Sequence, residues 1–295
     1  MTWLNLVLTM LFSWLLSPSF AQTIHPDVIY GKDTRVDLFE VHEPWILSAA
    51  KSTVALVNRS DLTSGPDNGY LFLPTVYGPA NQLCPEERFY SQPSLAFCSG
   101  SLIAPNLVLT AGHCIEPRSF CRETALVFDY AVSTELKVPV TAKQDQVYFC
   151  KEVVFHSNST RYGDYAIIRL DRPVTDRAPL VLSDATEEES LGVGSELTLI
   201  GFPKGLPEKV ATGGKLRYHT QKLLLASINA YYNNSGSPVF NAKTGHIVGV
   251  LVEGEEDFIF DPKKQCKVTI VCPEAGCSGE EITRSSWIRQ KIGDI

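Results

Sequence analysis

Three short segments of the 295-residue chain carry groups whose chemistry is complementary. "LVLTAGHC" ends an apolar run in an Ala-Gly turn and delivers His113 next to Cys114. "YGDYAIIRL" sets Asp164 ahead of an apolar run, and "NNSGSPVF" holds Ser235 between Asn234 and Gly236. A hydroxyl, a base to take its proton and a carboxylate to orient that base and stabilise its cation are what nucleophilic acyl transfer requires. Singly, each segment has a plainer explanation: a histidine closing a strand, an aspartate forming a turn, a Ser-Gly-Ser-Pro loop. The Asn, Ser, Gly and Pro crowded before Val239 and Phe240 suit either an ordinary turn or a nucleophile held on a sharp loop.

The elements that must position these groups read as strands. Short β-branched and aromatic runs, among them "SLIAPNLVLT", "TALVFDYAV", "ELTLIGFP" and "GHIVGVLVEG", alternate with turn clusters, and helical periodicity is scarce. That pattern predicts an all-β barrel or sandwich. "SSWIRQKIGDI" is the exception: Trp287, Ile288 and Ile292 at helical spacing behind a serine predict one closing helix. The polar stretch 182–195 is the expected seam between halves.

Bulk properties narrow the partners. A formal net charge of −7 with no basic patch argues against nucleic acid and acidic membranes. The apolar run Leu4–Leu16 followed by Ser19-Phe20-Ala21 predicts a signal peptide over 1–21, cleaved after Ala21, although no Lys or Arg precedes Lys32. The run is shorter than the roughly 20 residues a spanning helix needs, so no stable membrane insertion is expected. Eight cysteines without Cys-x2-Cys spacing predict structural disulfides in an oxidising compartment, and no metal site.

The order His113, Asp164, Ser235 is that of the chymotrypsin-like fold. With "FCSGSLIAPNLVLTAGHC", "DYAIIRL", "NSGSPVFN", "GHIVGV" and "WIRQKI", the chain resembles the trypsin-like serine endopeptidases over roughly residues 45–295. Within them it is most similar to the secreted bacterial branch that includes the glutamyl endopeptidases. The resemblance implies two antiparallel six-stranded β-barrels with a C-terminal helix, the first over 45–181 and the second over 182–295, behind a short pro-segment or N-terminal strap at 22–44. It implies His113 as general base and acid, Asp164 as its orienting partner, Ser235 as nucleophile, and the backbone N–H groups of Asn233 and Ser235 as the oxyanion hole. It also implies a Cys98–Cys114 disulfide. The other six cysteines leave 15 pairings open, with Cys272–Cys277 as one local choice.

Several positions depart from the family. Asn233 replaces the usual glycine of the oxyanion hole, and Asn234 stands where the trypsin-type zymogen switch has an aspartate. Removal of residues 22 to 27 or 28 remains an expected activation route, beside activity after signal removal alone. Asn229 stands where trypsin carries the carboxylate of its pocket floor, and Leu251 where glutamate-specific relatives carry a histidine. Gly254 falls where the substrate backbone would pass. The acidic run Glu253, Glu255, Glu256, Asp257 predicts a mild preference for basic residues. The expected protein is thus a secreted or periplasmic serine endopeptidase, monomeric, cofactor-free and acting on proteins or peptides. A catalytically silent homologue that binds a protein or glycan, and an esterase on the same scaffold, are the alternatives.

Overall fold

The computed structural model describes residues 29–115, 119–135, 137–159, 161–254, 256–274 and 276–292. The expected leader over 1–21 and the cleavage points at 22–28 lie outside them. From its start the described chain lies along what becomes the second barrel: β1 (Ile29–Tyr30), β2 (Arg35–Asp37) and α1 (Pro44–Ala50) precede the first-barrel strands.

The sequence shows one apolar run from Trp45 to Val57, and the structure splits it. Pro44 occupies the first helical position, where its fixed φ and missing N–H cost nothing, and Leu47, Ala49 and Ala50 favour the helix that follows. After Lys51-Ser52, Thr53 and Val54 open a strand. The buried face of α1, Ile46, Ala49 and Ala50, packs on Ile200, Val210, Phe240 and Ile247, with the Trp45 ring edge-on to Phe240 at 5.9 Å. Residues 45–50 therefore rest on the second barrel although the first follows them in sequence.

The first barrel closes in the order β6-β7-β8-β5-β4-β3, from β3 (Thr53–Asn58), β4 (Cys98–Ala104), β5 (Leu107–Thr110), β6 (Thr124–Phe128), β7 (Val147–Ser159) and β8 (Gly163–Leu170). Leu56, Leu102, Leu109, Leu126 and Ile167 fill its interior, and of its strands β7 alone is largely exposed beyond Cys150. The second barrel uses β9 (Glu196–Gly201), β10 (Lys209–His219), β11 (Leu223–Ser227), β12 (Pro238–Asn241) and β13 (Ile247–Glu253). A hairpin, β14 (Phe258–Asp261) and β15 (Cys266–Thr269), then projects before β16 (Val271–Cys272) and β17 (Glu280–Arg284). The order β9-β12-β13-β17-β11-β10 closes through β9–β10, β2 adds an edge beside β10, and β1 pairs in parallel with β16. The closing helix α2 (Ser285–Ile292) buries Ile288 in the first barrel's core.

Four disulfides are formed: Cys84–Cys266, Cys98–Cys114, Cys121–Cys150 and Cys272–Cys277. Cys84–Cys266 clasps the segment before the first barrel's β4 to the hairpin of the second, across a sequence separation of 182.

The strap is locked electrostatically as well. Lys209 Nζ lies 2.6 Å from Asp37 Oδ1 and donates to Gln92 Oε1 and the Pro207 carbonyl, all at 2.6–2.8 Å. Burial pushes the Lys209 ammonium down to about 8 against the pull of Asp37. Removing the carboxylate strands a buried cation, so Asp37→Ala is expected to cost about 3–5 kcal/mol in urea unfolding. A loss within experimental error of zero would show that the pair does not secure the strap.

Candidate active site

His113 sits in a one-turn 3-10 helix, Gly112–Cys114, at the end of β5, and the Cys98–Cys114 disulfide ties that turn back to β4. Asp164 is the second residue of β8. Its Oδ2 lies 2.6 Å from His113 Nδ1, while its Oδ1 accepts the His113 backbone N–H at 3.0 Å. One carboxylate thus fixes both the ring and the backbone of the same histidine. Gly112 makes the approach possible: a Cβ there would lie 1.9 Å from the Ser157 carbonyl oxygen and 2.9 Å from Asp164 Oδ1. The second barrel braces the carboxylate's strand from outside, with Thr283 Oγ1 donating to the Asp164 carbonyl and the Trp287 indole to that of Tyr162.

Ser235 enters from the second barrel on the turn before β12. The Ser99 N–H of β4 donates to the Ser235 carbonyl at 2.8 Å, and the Gly236 N–H donates to the Leu251 carbonyl at 2.8 Å. Gly236 has φ +87, and a Cβ on it would fall 2.0 Å from the Ser99 carbonyl oxygen. Asn233 also lies in the left-handed region, at φ 71, held by its Nδ2 donating to the Ala96 carbonyl at 3.1 Å. Asparagine is among the few side-chain-bearing residues that visit this region readily, which explains how it stands where relatives have glycine. Among the described residues the N–H groups of Asn233 and Ser235 have no acceptor. Asn234 is buried and accepts from the Ser237 hydroxyl at 3.2 Å.

His113 and Ser235 share a cleft of about 280 Å³ whose wall includes Leu251, Glu253, Gly254 and Glu280. Leu251 contributes there while its side chain also packs in the second barrel's core. Asn229 does not line this cleft. Its Oδ1 accepts the Tyr30 N–H at 2.7 Å, and its Nδ2 donates to the Lys32 carbonyl at 2.8 Å and Thr34 Oγ1 at 3.2 Å, so the amide is committed to the N-terminal strap.

The acidic run is dispersed in the same way. Asp257 is buried, pairs with Lys204 Nζ at 2.6 Å and accepts the Tyr232 N–H at 3.0 Å; burial holds its carboxyl above the usual range. Glu256 is exposed and does not line the cleft, Glu255 lies outside the described residues, and of the three described Glu253 alone lines the cleft. Glu280, by contrast, was not singled out from the sequence; it opens β17 far from the serine in the chain, and no local motif marks it.

Among the described residues the metal-like grouping is His113 with Cys98 and Cys114. The two sulfurs are bonded to each other and cannot act as thiolate ligands, so the group does not suit a metal. The imidazole is instead oriented by Asp164, and it lines the same cleft as Ser235.

Comparison with known proteins agrees with this architecture. The trypsin-like peptidase domain family matches residues 98–250, more than half of the chain. Brachyurin of Leptuca pugilator is 30% identical over 120 residues, covering 40% of this chain and 48% of the relative, so the chain spans about half the length of that curated relative. Among solved structures, the VesB protease of Vibrio cholerae superposes with a TM-score of 0.53 at 16% identity, over 88% of this chain and 67% of the other. VesC, a secreted serine protease of Vibrio cholerae, gives 0.56 at 15% identity over 88% and 47%. A Glu endopeptidase gives 0.50 at 16% over 90% and 99%. At these identities the solved structures speak to the fold, two closed antiparallel barrels, and the matched domain speaks to descent: the chain belongs to the trypsin-like peptidase family.

Proposed function

We propose that the protein is a secreted serine endopeptidase that hydrolyses peptide bonds through an acyl-enzyme, with Ser235 as nucleophile, His113 as general base and acid, and Asp164 as the orienting carboxylate. The observation that carries this reading is the two-point contact of Asp164 with His113, in a cleft whose wall also carries Ser235. Asp164 on Nδ1 leaves Nε2 as the nitrogen that exchanges a proton with Ser235 and then with the leaving amine. The backbone N–H groups of Asn233 and Ser235 serve as the oxyanion donors; the positive φ of Asn233 supports that role. Leu251 and Gly254 contact the substrate, and no cofactor takes part. Four disulfides support an oxidising destination, secreted or periplasmic. With Asn234 bonded to Ser237, activation would proceed without the amine–aspartate ion pair of the trypsin-type zymogen.

Active-site labelling with a fluorophosphonate probe, followed by mass mapping, tests the nucleophile. Modification confined to Ser235 and abolished in Ser235→Ala is the expected result; folded protein that resists labelling would sink the enzyme reading and leave a binding homologue. Turnover of peptide amides beside esters separates an endopeptidase from an esterase. Asp164→Asn leaves His113 with the wrong tautomer and is expected to lower kcat by about 10⁴-fold.

The oxyanion turn yields a stability comparison. Asn233→Ala and Asn233→Gly both lose the bond to Ala96, but only glycine adopts φ 71 without strain. Alanine is expected to be the less stable of the two by roughly 1 kcal/mol in urea unfolding. Equal stability would mean that the turn relaxes out of the left-handed region.

A further inference from the structure

We propose, on the reading of the Asn233 N–H as an oxyanion donor, that Asp257 and Lys204 are the positioning residues that fix the direction of that N–H. A trans peptide is planar, so its carbonyl and its N–H point to opposite sides. Whatever holds the Tyr232 carbonyl therefore also aims the Asn233 N–H. The Tyr232 carbonyl accepts the Lys204 backbone N–H at 2.5 Å, while the Asn233 N–H of the same peptide has no acceptor among the described residues. Turning the peptide over would break the bond to Lys204 and swing the free N–H to the other side of the chain.

The clamp comes from two segments outside the serine turn. Lys204 sits in the short turn Pro203–Gly205 after β9, at φ 52, a conformation that side-chain-bearing residues adopt infrequently. Each of its polar groups is engaged. Its carbonyl accepts the Ser94 hydroxyl at 2.6 Å, its N–H is on Tyr232, and its Nζ lies 2.6 Å from Asp257 Oδ2. The ammonium also stands 4.8 Å from the Tyr232 ring centre and 5.5 Å from that of Phe258. Asp257, one residue before β14, is buried, and its Oδ1 accepts the Tyr232 N–H at 3.0 Å. One carboxylate thus joins the Lys204 side chain to the Tyr232 backbone, and the N–H and carbonyl of Tyr232 are both held by this pair. Burial raises the Asp257 carboxyl, and the Lys204 ammonium and the Tyr232 N–H pull it back toward ionisation. The Asn233 carbonyl and side chain are held separately, by Ser99 Oγ and by the Ala96 carbonyl. Loss of Asp257 therefore bears on the peptide before Asn233 rather than on the whole turn.

Crystal structures and peptide-amide kinetics of Asp257→Ala and Asp257→Asn, set beside the parent protein, test the clamp. Alanine loses both contacts; asparagine keeps an acceptor for the Tyr232 N–H and loses only the ion pair. In Asp257→Ala the Tyr232 carbonyl is expected to leave the Lys204 N–H. Its kcat, referred to folded protein, should fall at least about tenfold with KM changed less than about twofold, a share of the 10²–10³-fold loss that removal of a whole oxyanion donor brings. Asp257→Asn should recover most of that loss, a rescue that a general weakening of the fold would not show in kcat alone. If Asp257→Ala does not fold, Lys204→Met takes its place, because it keeps the stem and the backbone N–H and removes the ammonium. An unaltered Tyr232–Asn233 peptide in the variant crystals, or a kcat within about twofold of the parent, overturns the proposal. The orientation of the peptide is read without turnover. An inactive parent protein would therefore sink the endopeptidase reading, while the variant structures would still decide whether Asp257 and Lys204 hold the peptide.

Discussion

The seat of the Ser235–Gly236 turn on β4 is the contact on which the candidate site depends. The Ser99 amide donates to the Ser235 carbonyl, and Thr110 Oγ1 donates to the Ser99 carbonyl, which lies where a Cβ of residue 236 would otherwise stand. Only a glycine at positive φ lets the second barrel's turn come this close to the first barrel's strand. Through β4 and the Cys98–Cys114 disulfide the same strand holds the turn of His113. The hydroxyl and the imidazole are thereby referred to one rigid strand although they come from different barrels.

The second barrel reaches back across that interface in other places. Val250, Val252 and Ile288 join the first barrel's core, and Thr283 and Trp287 hold the backbone around Asp164. The result is a site on strand ends and short turns, each braced by an element of the opposite barrel.

The N-terminal strap belongs to the same design. Residues 29–50 lie on the second barrel, locked by Asp37–Lys209, by the face of α1 and by Asn229, and they bring Tyr30 against a carboxylate of the cleft. The described part of the segment that reads in sequence as a short pro-segment or a strap thus lies against the second barrel. The Cys84–Cys266 clasp and the hairpin β14–β15 adjoin the strap, since Ile29 packs with Leu83 and Phe258, and there Lys204 and Asp257 fix the turn at Tyr232.

The all-β architecture, the closing helix and the candidate residues His113, Asp164 and Ser235 were legible because each rests on a local signal: alternating or continuous apolar runs, turn chemistry, and short motifs in a telling order. Local signals also misled. Trp45–Val57 reads as one apolar stretch because both its halves are rich in apolar residues, and only packing of α1 on Phe240 separates the helix from the strand. Asn229 is placed in sequence by its distance from Ser235, and the acidic run by its position just beyond an expected pocket strand. Asn229 is turned toward the strap and Asp257 is spent on Lys204, because buried polar groups take whichever partners the fold brings within reach. The sequence by itself determined the strands, the turns and the choice of the three candidate residues. Only the tertiary structure decided that Glu280 joins Glu253 on the cleft wall and meets Tyr30, 250 residues away, because strand pairing between distant segments is encoded by no local pattern.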